Sequence, residues 1–253
     1  LKDLRCMDHK IIYSDDQVKW IVFGRDSQKP NAIIDTNEYA IESGNEVMIL
    51  DPGGTEIFPY VLSSVSEVIG LEKVKKFFCS HQDPDIFSSL PLWMALCPNA
   101  TIYMPRIWAN FMSHFGKECA VNFYPVPDQG MRVKLGSEEL QIIPAHYLHA
   151  SGNINLFCSR SRILFSGDIG SALVPLNYPF FVENFNDHIP FMRAFHQRWM
   201  PSESAKKAWI RHVRSLNPHM ICPQHGAIIK GEKMVGQFLD WLDNLEVGIL
   251  SNV

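Results

Sequence analysis

The sequence has no close cysteine pair. Its six cysteines (Cys6, Cys79, Cys97, Cys119, Cys158 and Cys222) stand far apart, several among apolar neighbours such as Phe77 and Phe78. That excludes a thiolate metal knuckle and a disulfide framework, and fits buried, reduced thiols in a cytoplasm. A long apolar run is also missing, because Pro or charge interrupts each hydrophobic stretch well short of a spanning helix. No repeat, low-complexity tract or Pro/Gly/Ser-rich linker divides the chain. Neither sign of charge accumulates. With 23 basic and 27 acidic residues the formal net charge is −4, which favours neither nucleic acid nor an anionic membrane as a partner. The chain starts at Leu1 without the basic and apolar regions of a signal peptide. No Gly-rich phosphate loop follows a strand, so FMN is not expected in this chain.

What is present is a chain of 253 residues, 46% of them hydrophobic, enough for one large domain over residues 1–253. The opening third alternates like short strands: Val18 to Phe23, Asn31 to Asp35, Tyr39 to Glu42 and Glu46 to Leu50, with Gly44-Asn45 as a turn. Asp51-Pro52-Gly53-Gly54 stops that run, and Thr55 to Ile69 has helical spacing. A strand from Val74 to Cys79 leads into a polar loop, and Ile86 to Leu96 reads as a helix. A strand (Thr101 to Tyr103) and a helix (Pro105 to His114) follow. Strand patterns return at Val121 to Tyr124, Met131 to Lys134, Leu140 to Ile143, Ile154 to Cys158 and Arg162 to Phe165. The last third is mostly helical apart from Met220 to Cys222, and Lys230 to Leu245 carries an apolar stripe at 3.6-residue spacing. Strands then helices, twice over, imply an α/β (α+β) chain of two sheets packed face to face with helices outside.

Four polar clusters each follow an apolar strand. The first, Ser80-His81-Gln82-Asp83-Pro84-Asp85, packs an imidazole and two carboxylates into five positions, a chelating set for a divalent cation. The second runs from Ala145 through His146, Tyr147 and His149 to Asn153. The third ends at Asp168 (Ser166-Gly167-Asp168), and the fourth is Gln224-His225-Gly226. Singly each reads as solvated side chains, but four at strand ends point to one edge where ligands gather.

The order HxDxD, H-A-S-G-N, SGD and QHG resembles the metallo-β-lactamase fold, an αββα sandwich, and within it the di-iron domain of flavodiiron proteins. The resemblance implies that His81, Asp83, His149 and Asp168 hold one metal, and that Asp85, His225 and a bridging Asp168 hold the other. His146 competes with His149 for the middle position, but His149-Ala150-Ser151-Gly152-Asn153 matches the family pattern better. His146 is then a hydrogen-bond partner of a ligand or a polar group of the pocket. Two departures stand out: Asp83 replaces the family's usual Glu, and Ile86 replaces a seventh, His ligand. The second leaves a coordination position open for a small ligand.

Zinc hydrolases of this fold resemble H-x-H-x-D-H, which supplies more imidazole. Three imidazoles and three carboxylates suit iron or manganese better than zinc. Two iron ions (Fe2+/Fe3+) with a bridging hydroxide or oxo group balance the carboxylates near neutrality. Flavodiiron proteins carry a flavodoxin-like domain after the part matched here, and this sequence ends at Val253 without one. The resemblance therefore points to stand-alone oxygen-binding di-iron proteins linked to bacterial chemotaxis receptors: a cytoplasmic dioxygen sensor, more a binding protein than an enzyme. The alternatives are a dioxygen or nitric oxide reductase fed by an external redox protein, and a zinc-dependent ester or thioester hydrolase. A homodimer is compatible with the fold family. Tyr147 and Tyr178, the latter in a long loop from Leu173 to Val182, are candidate hydrogen-bond donors to a bound oxygen ligand. Trp93, Trp108, Trp199, Trp209 and Trp241 read as core or interface packing, and the basic stretch from Lys206 to Arg214 as a solvated helix face.

Overall fold

The computed structural model describes residues 6–24 and 34–248, which fall into two compact units, the first comprising 6–24 and 36–140, the second 34–35 and 141–248. Most of the strand expected over Asn31 to Asp35 lies outside the described residues. Among the described residues, no helix is long and apolar enough to cross a membrane.

The first unit holds a seven-stranded sheet in sequence order: β1 (His9–Ser14), β2 (Lys19–Gly24), β3 (Asn37–Ser43), β4 (Glu46–Leu50), β5 (Val74–Phe78), β6 (Thr101–Pro105) and β7 (Phe123–Val126). The strands β1 to β4 pair antiparallel. Gly44, at φ 58°, makes the tight turn between β3 and β4, a conformation L side chains resist. From β4 to β7 the pairing is parallel, and parallel neighbours need crossovers. These are α1 (Phe58–Val68), then α2 (Pro84–Phe87) and α3 (Leu90–Leu96), then a 3-10 segment (Arg106–Phe115) with α4 (Lys117–Asn122). Helix α1 forms because Val61 and Val65 recur at helical spacing, and they bury in a core with Ile49, Phe77 and Trp93.

The second sheet has the order β13-β12-β11-β10-β9-β8, with β8 (Met131–Leu135), β9 (Glu138–Pro144), β10 (Ile154–Cys158), β11 (Ile163–Gly167), β12 (Met220–Pro223) and β13 (Ile229–Lys230). Of this sheet, β8 and the start of β9 fall within the first unit and the rest within the second. The described residues of the second unit also form three helices: α5 (Phe185–Trp199), α6 (Glu203–Leu216) and α7 (Glu232–Asn244). The Asn184 side chain caps α5 by accepting from Asn186 N–H at 3.0 Å, and Ser202 caps α6 by accepting from Ala205 N–H at 3.2 Å. Met192, Trp209, Val213, Phe238 and Leu242 form the core beneath them.

Several expectations are corrected. The helix expected over Ile86 to Leu96 breaks at Ser88-Ser89, where Ser89 Oγ donates to the Gly53 carbonyl at 2.6 Å and Pro91 starts a new first turn. Residues 121–122 end a helix, not a strand, and β7 begins at Phe123. The edge strand β1 and the two-residue β13 were too polar or too short to read. Lys206 is fully buried, not solvated: its ammonium donates to the carbonyls of Asp243 and Leu245 and pairs with Glu203 at 2.9 Å. The carbonyls are orphans at the end of α7, and the cation satisfies them. Trp199 is 53% exposed, so it is not core.

Candidate metal centre

In the first unit, β4 and β5 run parallel and the chain leaves both at the same end, where Asp51 follows β4 and Ser80-His81 follow β5. Open parallel sheets bind ligands at that end of their strands. Asp51 is fully buried with a left-handed φ of 45°. Its carboxylate accepts the Ser80 N–H and the Ser80 hydroxyl, each at 2.7 Å. With that hydroxyl proton committed, Ser80 Oγ serves as acceptor for His81 Nδ1–H at 2.9 Å. The relay fixes the His81 tautomer and leaves Nε2 as the basic nitrogen, 3.6 Å from Asp83 Oδ2.

Asp83 stands just before α2, and Gln82 Nε2 donates to its Oδ1 at 3.0 Å. Asp85 lies in the first turn of α2, half-buried. Ile86 is fully buried in the core, so no imidazole comes from that position.

In the second unit, β11 and β12 are parallel with Gly167 opposite Pro223. That register puts the residues that follow, Asp168 and Gln224-His225, on adjacent loops, joined by a Gln224 N–H to Gly167 carbonyl bond of 2.8 Å and an Ala172 N–H to His225 carbonyl bond of 3.1 Å. The Asp168 Oδ2 lies 2.7 Å from His149 Nε2, and its Oδ1 lies 3.4 Å from His225 Nε2. Both oxygens of one buried carboxylate thus face a different imidazole. His225 Nδ1–H donates to the Asp35 carbonyl at 2.9 Å, so here again Nε2 is the nitrogen turned to the carboxylate. The H-A-S-G-N run has a local reason. Buried Asn153 donates to the Leu148 carbonyl, and Ala145 N–H donates to the Asn153 carbonyl at 2.9 Å, closing the loop that presents His149.

His146 is half-buried three positions earlier, and the contact with Asp168 belongs to His149. Tyr147 is 53% exposed. The Tyr178 hydroxyl is engaged with His188 Nδ1 at 3.1 Å. Five of the six cysteines are buried and Cys6 is half-exposed. Burial pushes the Cys79 and Cys222 thiols well up and Cys119 to about 11, which keeps them protonated and poor ligands.

Sequence reasoning missed Asp51, Ser80, Asp35 and His196 as supports. His196 is fully buried; its Nδ1–H donates to the Met192 carbonyl at 2.8 Å and its Nε2 accepts the Gly170 N–H at 2.9 Å, two residues past Asp168. Desolvation lowers its pKa from 6.5 to about 4, in accord with the neutral tautomer those bonds require. In the sequence, Asp51 showed only as part of a turn signal and Ser80 only as the head of the first polar cluster.

Chemically, His81 in the first unit has Nδ1 engaged and Nε2 turned to Asp83; in the second unit His225 is held the same way and His149 presents Nε2 to Asp168. Each set of imidazole nitrogen and carboxylate oxygen suits a divalent first-row metal.

Comparison with known proteins agrees in kind. The family model described as "ODP family beta lactamase" matches residues 34–226. The structure titled "Apo state of chemotaxis sensor ODP from T. denticola" is 38% identical, covers 96% of this chain and 97% of its own, and superposes with a TM-score of 0.87. A second, "Peroxy diiron species of chemotaxis sensor ODP", is 37% identical over the same shares, with a TM-score of 0.85. The rubredoxin oxygen:oxidoreductase of Desulfovibrio gigas shares the fold at a TM-score of 0.80 with 17% identity, over 92% of this chain and 61% of that one. The chain spans about half the length of the curated relatives it matches. Its fold is the metallo-β-lactamase-like α/β fold.

Proposed function

Since the chain belongs to the ODP family of β-lactamase-fold proteins, we propose that it is a non-haem di-iron protein that binds dioxygen and reports it to a chemotaxis receptor. In this reading the iron ligands are His81, Asp83, Asp85, His149, Asp168 and His225, and residues 1–253 act as a single domain. The observation that carries a paired centre is Asp168, whose two oxygens face two different imidazoles. A carboxylate so placed bridges two cations. Iron in such a donor set supplies one-electron redox steps and an open position for a small ligand. The chain's own residues do the rest. Ser80 and Asp51 hold His81 Nδ1 and aim its Nε2. The Asp35 carbonyl holds His225 Nδ1–H and so orients that ring. Ile86, at the sequence position of the family's seventh imidazole, is an apolar core residue and offers no donor.

Zinc hydrolysis is disfavoured by the donor set, which is richer in carboxylate than zinc prefers and has no thiolate. The likeness to rubredoxin oxygen:oxidoreductase supports a common fold, and turnover with an external redox protein stays the second reading. The test is anaerobic loading with ferrous iron followed by rapid mixing with dioxygen. A long-lived visible absorption band supports binding and holding. Continuous dioxygen consumption with added rubredoxin, and no persistent band, supports turnover instead. The setting expected for either is the cytoplasm.

A further inference from the structure

The ligands proposed for the second unit are sealed from water: the side chains of His149, Asp168 and His225 are 7%, 5% and 5% exposed. A bulky electron donor in solution cannot touch them. Among the described residues of this unit, Trp199 is the most exposed aromatic side chain in ring contact with one of these ligands. Trp199, the last residue of α5, is 53% exposed. Its indole meets the His149 ring at a centroid distance of 5.2 Å and 63°. One helical turn earlier, Phe195 stacks on Trp199 at 6.1 Å and 25° and meets His149 edge-on at 5.9 Å and 88°. The contact runs from water through an aromatic side chain to the imidazole whose Nε2 faces Asp168.

We propose that Trp199 is the port through which electrons reach the metal centre, by way of His149. The inference rests on the di-iron reading above. A sensor that has met dioxygen must be returned to its ferrous form, and for a buried centre that takes an outer-sphere, one-electron donor. The donor would give up one electron at the exposed indole face, Trp199 and His149 would conduct it, and a ferric ion held by His149 would be the acceptor. No bond forms or breaks and no proton is required in the transfer itself. Tunnelling weakens steeply with the gap to be crossed, and the indole removes most of that gap. The indole thus combines an exposed face with a ring contact to His149, and Phe195 lies against both rings.

The test compares wild type with Trp199→Ala and Trp199→Phe, all loaded with iron and oxidised. The probe is the methyl viologen radical cation, an outer-sphere donor, followed by stopped-flow bleaching. Trp199→Ala is expected to slow reduction by about an order of magnitude, equivalent to about 1.4 kcal/mol of barrier, while Trp199→Phe keeps most of the rate. A second readout needs no turnover. The emission assigned to Trp199, as the difference between wild type and Trp199→Phe, is quenched by iron loading and spared by zinc loading. Equal viologen rates in wild type and Trp199→Ala, with iron bound in both, overturn the port and leave the di-iron reading intact. Failure of the wild type to bind iron overturns both.

Discussion

The His149 Nε2 stands 2.7 Å from Asp168 Oδ2, while the other oxygen of the same carboxylate is turned to His225. Loss of Asp168 therefore uncouples His149 and His225 at once. Asp168→Asn keeps the shape and removes the charge and one acceptor. Its iron content after anaerobic loading and desalting should fall, with an affinity loss beyond the ~10–100-fold typical of removing an outer hydrogen-bond partner. Titration calorimetry with ferrous iron measures it.

Ser80 gives the contrasting case, because its hydroxyl touches Asp51 and His81 rather than a metal. Ser80→Ala leaves the buried Asp51 carboxylate short of one donor and frees the His81 tautomer. The expected loss in metal affinity is about 10–100-fold, smaller than for Asp168→Asn. Ser80→Thr, which retains the hydroxyl, should recover part of it. Equal losses for Ser80→Ala and Ser80→Thr would instead assign the effect to packing.

His196 predicts a pH dependence of stability in the metal-free protein. Its folded pKa, about 4, lies below the ordinary 6.5 because desolvation penalises the charged ring. The unfolded chain therefore binds the extra proton between those values. The contribution is complete above pH 6.5 and is lost as pH falls toward 4, amounting to about 3 kcal/mol. Urea unfolding across this range should show it. His196→Gln, which can still donate to Met192 and accept from Gly170, should be flatter over the same window; equal slopes would remove His196 as the cause.

The residues proposed as ligands stood out in the sequence because several of them sit just past apolar strands. His81 follows β5, Asp168 follows β11 and His225 follows β12, and a strand end fixes where the next side chain goes. The supports were not readable, since each arises from register or crossover. Asp51 reaches Ser80 across 29 positions, and Asp35 reaches His225 across 190. His196 looked like one more helical residue until its Nε2 met Gly170. The same limit explains Lys206, which has the composition of a solvated face and the environment of a helix cap. It also explains the split of the helix after Asp83, where a serine prefers the Gly53 carbonyl to the continuing turn.

The central claim, a di-iron centre in this chain, meets its most direct test in metal analysis of protein purified without air. The account predicts a pair of iron ions per chain, lost together in Asp168→Asn. A pair of zinc ions, retained through the same purification with no affinity for added ferrous iron, would contradict it.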